Sequence, residues 1–286
     1  MATLFLVSTP IGNLGDLSPR AADTLREVKR VLAEDTRRTR ILTERVGSSA
    51  PLVSLHAHNE TERTARILEW LDAGDDLALV SDAGTPLLSD PGARLVRSVL
   101  DGGHRVVPIP GPSAILAALI ASGLAGERFT FLGFPPRKGS ERRELLARVA
   151  SSADTTVLFE SPQRLSDLLD ALAEACGPER SAAVARELTK LHEEIVRGTL
   201  AEVAAYYRQH PPKGEVTVVV APEAAKGRGD LEVEARGLAA RLLADGMKPS
   251  AAAKELAARL DLARNEAYRV VQESLHPITD AREPPA

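Results

Sequence analysis

An α/β fold with two α/β domains is what this sequence predicts, and three observations carry the reading. Strand-like and helix-like stretches alternate from the first residues onward, the pattern of parallel sheets with right-handed crossovers. The run Leu77, Ala78, Leu79, Val80 is continuously apolar, as in a strand covered on both faces, and gives way to Ser81, Asp82, Ala83, Gly84, Thr85 and Pro86. Two other strand ends carry loops of the same kind, TPIGN over 9–13 and PGPSA over 110–114. Ligands of open α/β sheets bind beyond the carboxyl ends of the strands, so the three loops predict one crevice. In it Gly84 removes a Cβ that would hold a ligand off the main chain, Pro86 stiffens the exit, and Asp82 and Thr85 offer an acceptor and a hydroxyl.

The elements follow in order. A strand over 3–8 ends in TPIGN, and Ser18 with Pro19 caps a helix that runs to about Val28. A short strand over 31–34 leads through AEDTRRTR into a helix with Ile41, Leu42 and Val46 on one side. After a strand over 51–56, Asn59 caps a helix that Gly74 stops. Asp90 and Pro91 start the helix that follows the 77–86 stretch, and a strand over 105–109 delivers PGPSA, where Ser113 caps the apolar helix 113–122, the bridge out of the first domain. A second alternating set has strands at 129–134, 155–160, 182–186, 193–198 and 215–221, the last two read as an antiparallel pair. Its helices cover 139–150, the stretch from the Ser161–Pro162 cap to Gly177, and 199–209. The expected boundaries are 1–115 for the first α/β domain, 116–225 for the second, and 226–286 for a charged linker, a helical tail and a disordered end from Pro277. Ser250 caps the first helix of a tail pair with helix-turn-helix proportions, turning near Asp261.

Composition narrows the function. With 286 residues and 44% hydrophobic content the chain can fill two ordinary cores. A net charge of −4 and a pI near 5.9 confine any nucleic-acid contact to a local basic face. Cys176 is the one cysteine, a structural thiol, so neither a disulfide framework nor a cysteine zinc site is available. His56 and His58 have no third ligand at suitable spacing and read as loop-lining residues; no metal is expected. No stretch is apolar enough to span a bilayer, which points to a cytoplasmic protein without a membrane partner. Aromatic residues are 3% of the chain, too few for a platform of stacked bases.

Several blocks then stand in a telling order: TPIGNLGDLSPRA, AEDTRRT, HAHNE, ALVSDAGTPLLSDPG, VVPIPGPSA, LGFPPRKG, FESPQRL and ARELTKLHEE. Together they resemble the bacterial small-subunit ribosomal RNA (cytidine-2′-O)-methyltransferases, in the tetrapyrrole methylase superfamily. SDAGTP and PGPSA mark the superfamily; AEDTR, the PRKG block and RELTK mark its RNA branch. Over residues 3–220 the resemblance implies two α/β domains of tetrapyrrole-methylase type with S-adenosyl-L-methionine in the cleft between them, in a homodimer. It implies methyl transfer to the ribose 2′-hydroxyl of a cytidine in ribosomal RNA or the small ribosomal subunit. The family's cofactor loops fall on Pro10, on Asp82, Gly84 and Thr85, on Ser113 and Ala114, and on Phe159, Glu160 and Ser161. The pattern departs at Gln163, where the family carries His. The GxGxxG fingerprint of dinucleotide-binding folds is absent.

Methyl transfer to oxygen needs an in-line approach and a proton acceptor. The residues leave the base open among Asp35, Glu160 and a desolvated Lys190, with bland roles beside each: an Asp35 ion pair to Arg37 or Arg38, a Glu160 helix cap, and RELTK as an ion network between domains. Arg37 or Arg186 would grip a phosphate, and Arg137 and Lys138, in a basic cluster with Arg142 and Arg143, would position RNA. Two other readings compete: a porphyrin or corrin C-methyltransferase with a wide apolar trough, and a non-catalytic nucleic-acid-binding regulator acting through the helical tail.

Overall fold

The computed structural model describes residues 1–223, 228–260 and 262–275, with backbone alone over 228–233. The chain forms two compact units, Met1–Glu223 and Ala224–Ala286. Residues 224–227, which span the expected boundary between the second domain and the linker, Asp261, and the residues from His276 onward, the expected disordered end among them, lie outside the described residues.

The first unit holds two five-stranded sheets. One is built from β1 (Thr3–Val7), β2 (Arg30–Ala33), β3 (Leu52–Ser54), β4 (Leu77–Val80) and β5 (Arg105–Ile109), all parallel, in the order β3-β2-β4-β1-β5. The crossovers run through α1 (Pro19–Glu27), α2 (Thr36–Val46), α3 (Glu60–Asp72) and α4 (Ala93–Asp101). The apolar run of β4 is covered on both sides. Ala78 and Val80 pack with Val7, Leu25 and Val31, while Leu77 and Leu79 pack with Leu4, Ile67 and Leu95. Because β4, β1 and β5 are parallel neighbours, the three Pro- and Gly-containing loops leave the same edge of the sheet.

Local signals set most helix ends. Ser18 Oγ accepts from the Ala21 amide at 3.1 Å with Pro19 in the first turn, and Gly47 closes α2 at φ 71°. Two expectations change. Asn59 makes no side-chain cap; its Oδ1 accepts from the His56 amide at 2.9 Å and closes the turn before α3. The helix expected from Asp90 begins only at Ala93, because Leu87, Ser89 and Gly92 take φ of 74°, 73° and 117° and hold the intervening chain as a loop.

The second sheet comprises β6 (Phe129–Phe131), β7 (Thr155–Glu160), β8 (Ser181–Arg186), β9 (Glu194–Thr199) and β10 (Val216–Val220), in the order β6-β7-β10-β8-β9. Only β6 and β7 run parallel. The expected pairing of the last two strands does not form. Every residue of β10 is buried, so it takes the centre between β7 and β8, whereas β9, with Glu194 and Arg197, takes the edge. Helices α6 (Ser140–Ala150), α7 (Leu165–Cys176) and α8 (Leu200–Gln209) cover one face through Leu158, Val184 and Val218. A three-residue 3₁₀ turn, Pro162–Arg164, precedes α7, and Ser161 makes no cap; its Oγ accepts from Arg164 Nε at 3.2 Å. Cys176 at the end of α7 is half-buried, and burial pushes its thiol pKa up.

Helix α5 (Ala114–Ser122) joins the two sheets. Ser113 caps it, and Ile115, Ala118 and Leu119 form one buried cluster with Ile11 of the first sheet's loops and Val157, Ala183, Ala185 and Val219 of the second sheet. The alternation along β7, β8 and β10 thus sends one set of side chains to α5 and the other to α6, α7 and α8.

The second unit contains α9 (Arg228–Ala244), α10 (Pro249–Leu260) and α11 (Arg264–Leu275), around Ala235, Ala239, Leu256, Ala267 and Val271. The charged stretch read as linker is therefore helical from Arg228, and Ser250 lies inside the first turn of α10, not ahead of it. No described helix is long and apolar enough to cross a membrane.

Candidate active site

The three loops do meet. Thr9 and Gly84 form a two-residue bridge between the loops after β1 and β4, Thr9 Oγ1 donates to the Ser81 carbonyl at 3.1 Å, and Ser81 Oγ donates to the Gly84 carbonyl at 2.9 Å. Thr85 Oγ1 reaches the Pro112 carbonyl at 3.4 Å and ties in the third loop. Two glycines make this closeness possible. Gly84 sits at φ 82° with its absent Cβ 3.2 Å from Ile11, and a Cβ on Gly111 would lie 2.9 Å from that of Ser8.

A cavity of about 400 Å³ opens beside them, between the edge of the first sheet and the ends of β7 and β10. Its wall includes Asp82, Ala114, Phe159, Glu160 and Ser161 among the expected cofactor residues, together with Arg38 and Asp90. Pro10 lines a smaller cavity of about 170 Å³ that shares Arg38 and Asp82 with it. Thr85 and Ser113 line an apolar cavity of about 580 Å³ with Leu116 and Phe129.

Glu160 is the most enclosed of the candidate bases. Its side chain is fully buried; Oε1 accepts from the Ser161 amide at 2.7 Å and pairs with Arg164 Nη2 at 2.5 Å, while Oε2 has no partner. Asp35 is a different case. It accepts from the Arg37 amide and forms a two-point ion pair with that guanidinium at 3.0 and 2.8 Å. The Arg37 hydrogen bonds hold its carboxyl at about 2, well below the usual range, which makes it a poor proton acceptor. Nor is Lys190 a free amine. Burial pulls its pKa down, but hydrogen bonds to Glu187 at 2.7 Å and Glu215 at 2.9 Å outweigh that and hold it above its ordinary value. A neutral, desolvated Lys190 is thus corrected to a charged clasp between the segment after β8 and the start of β10.

The same clasp reaches the first sheet's loops. The Asn13 amide donates to Thr189 Oγ1 at 3.1 Å, and a Cβ on Gly12 would fall 2.4 Å from Lys190 Cγ. Glu187 and Thr189 take φ of 51° and 66°, so the RELTK turn is held in a conformation side chains rarely adopt.

Of the expected phosphate-binding residues, Arg37 is bound to Asp35 and Arg186 to Glu194, at 3.3 Å for the latter. Glu194 also accepts from Tyr206 and Tyr207, so Arg186 belongs to a network joining β8, β9 and α8. Arg137 and Lys138 stand exposed in the turn that follows Phe134, a residue of the cavity wall. Arg142 and Arg164 brace that turn by donating to the Pro136 and Pro135 carbonyls. The rings of His56 and His58 lie 6.0 Å apart, and among the described residues no group of three potential ligands is placed to hold a metal.

Sequence reasoning passed over two residues of the site, Arg164 and Asp90, and gave a third, Arg38, second place. Arg38 faces Asp82 at 3.8 Å, where its neighbour Arg37 had been favoured. Arg164 anchors Glu160 from one helical turn on. Asp90 joins Glu34 and Asp82 in a group of carboxylates: burial and then Asp82 raise Glu34, while burial and then Glu34 and Asp82 push Asp90 up to about 6. The available signal was the repeated Ser-Asp pair, Ser81–Asp82 and Ser89–Asp90, around one Gly- and Pro-containing loop.

Comparison with known proteins agrees with this architecture. Residues 3–204 match the family of tetrapyrrole (corrin/porphyrin) methylases. The chain is 45% identical to ribosomal RNA small subunit methyltransferase I of Synechocystis sp., over 94% of this chain and 97% of that one. It is 48% identical to the protein of the same name from Xylella fastidiosa, over 88% and 92%. A crystal structure of uroporphyrin-III C-methyltransferase from Thermus thermophilus, complexed with S-adenosyl homocysteine, shares the fold with a TM-score of 0.56 at 19% identity, covering 77% of this chain and 97% of that one. The two sheets joined by α5, the three converging loops and these similarities together place the chain in the ribosomal RNA small subunit methyltransferase I family of the tetrapyrrole methylases.

Proposed function

We propose that this protein transfers a methyl group from S-adenosyl-L-methionine to the ribose 2′-hydroxyl of a cytidine in small-subunit ribosomal RNA. The observation that carries the reading is the convergence of the TPIGN, SDAGTP and PGPSA loops on one cavity against the second sheet. The names of the relatives support the RNA substrate, and the S-adenosyl homocysteine of the Thermus structure supports the donor.

The residues present fit that donor. It is a sulfonium with an ammonium group, and the cavity offers a carboxylate at Asp82 and an unpartnered buried acceptor at Glu160 Oε2. Ala114, Phe159 and Ser161 on the cavity wall would hold it through the loop backbone and the Phe159 ring, and Pro10, Gly84, Thr85 and Ser113 would set the course of the loops that carry that wall. When bound, the donor supplies an activated methyl group, so the protein's task is to align a hydroxyl, exclude water and take up one proton. Arg137 and Lys138 would hold the RNA backbone at the mouth of the cavity.

The resemblance also favours a homodimer, and the apolar surface supports it: Leu88, Leu116, Ile120 and Phe129 all remain exposed, three of them around the apolar cavity. The reaction is tested by mass spectrometry of ribosomal RNA from cells without this protein and from complemented cells. A 2′-O-methylcytidine missing from the first and restored in the second is expected; identical RNA in both contradicts the reading.

A further inference from the structure

We propose that Asp90 is the catalytic base of this site, the carboxylate that takes the 2′-hydroxyl proton as the methyl group arrives. This rests on the methyl-transfer reading above. In the step, the O2′–CH₃ bond forms as the S–CH₃ bond breaks, the bonding pair goes to sulfur to leave a neutral thioether, and the O2′ proton moves to the Asp90 carboxylate and then to water.

The geometry sets Asp90 apart from the other acids. It lies directly on the cavity wall, in a turn whose neighbours Ser89 and Gly92 take φ of 73° and 117°. That turn is locked from below, since a Cβ on Gly92 would meet Leu79 at 2.7 Å. Asp35 is consumed by Arg37, Lys190 is charged, and Glu160 holds Arg164 through Oε1. A separate observation marks the same cavity as built for a ligand: Glu160 Oε2, fully buried on the opposite wall, has no partner.

The charged surroundings explain why Asp90 is suited to the task. Glu34, at the end of β2, and Asp82, after β4, face it; Arg38 of α2 lies against Asp82, and His56, Arg38 and Asp35 act on Glu34. Glu160 and Glu215 line the second-sheet side. Burial and the two neighbouring carboxylates place its pKa at about 6. It is ionised at neutral pH, yet it binds a proton far more readily than Asp35, the condition for an effective general base.

The test compares Asp90→Asn, Glu34→Gln and the parent protein in single-turnover methylation of small-subunit ribosomal RNA, with a carboxyl NMR titration of each without donor. Loss of about 1,000-fold in rate is expected for Asp90→Asn, with S-adenosylmethionine and RNA affinities within about twofold of the parent. The parent rate is expected to rise with pH through about 6, matching an NMR inflection that is absent from Asp90→Asn and moved to lower pH in Glu34→Gln. Asp90→Asn with a rate within about tenfold of the parent, or an inflection unmoved in Glu34→Gln, overturns the assignment while leaving methyl transfer standing. A parent protein that methylates no RNA removes the reading on which the assignment rests, and the assignment with it.

Discussion

Thr9 and Gly84 exchange both backbone hydrogen bonds, at 2.9 and 3.0 Å, across the ends of two neighbouring parallel strands. Parallel strands alone leave their exit loops free to diverge. This bridge turns the two loops into a single surface, and the left-handed φ of 82° that it demands is open to glycine at little cost. Replacing Gly84 with Ala should therefore destabilise the fold by about 1–2 kcal/mol and weaken donor binding at least about tenfold. Urea unfolding and donor titration of one preparation check both.

The carboxylate group around Asp90 gives the stability curve a recognisable sign. The folded-state pKa of about 6 lies above the ordinary 3.8, so between these two values the folded protein keeps a proton that the unfolded chain has released. This contribution is greatest below about 3.8 and falls away as pH rises through about 6. Asp35 acts in the opposite sense: its stabilisation is present above 3.8 and is lost as pH falls through about 2. Asp90→Asn should accordingly be more stable than the parent at neutral pH, by about 1 kcal/mol after allowing for its half-exposed position. Thermal unfolding across pH 4 to 7 should show a flatter curve for the variant.

Lys190 separates a clasp from a base. Its charge holds Glu187 and Glu215 together, and that contribution persists below its ordinary pKa of 10.5 and is lost as pH rises through the higher folded value. Lys190→Arg should keep methyl transfer near the parent rate, whereas Lys190→Met should lower the unfolding temperature by several degrees. A base would be lost in both variants, so the rate of the arginine form is the discriminating measurement.

Charge reversal at Arg137 and Lys138 together should weaken RNA binding roughly tenfold or more and lower the salt slope of that binding by about 2. Donor affinity should stay within about twofold, because neither residue lines the cavity. Parallel RNA and donor titrations at two salt concentrations read the difference.

The first sheet was legible because its signals are local: buried runs such as Leu77–Val80, Gly and Pro at the loop positions, and the Ser18 and Ser113 caps. What escaped depends on distant neighbours. The place of β10 between β7 and β8 follows from burial on both faces, which adjacency in the chain does not disclose. The protonation of Lys190 depends on burial and on Glu187 and Glu215, and that of Asp90 on burial and on Glu34 and Asp82, surroundings that only the folded chain assembles. The late start of α4 reflects left-handed backbone at Leu87 and Ser89, residues whose side chains do not announce it.

In the proposed function, the three loops and the second sheet together make one donor site. Calorimetric titration of S-adenosyl-L-methionine into the purified parent protein and Gly84→Ala tests it most directly. One donor per chain with clear heat in the parent, and markedly weaker binding in the variant, is the result predicted. No measurable uptake by a folded parent protein, or equal affinity in the two, would contradict it.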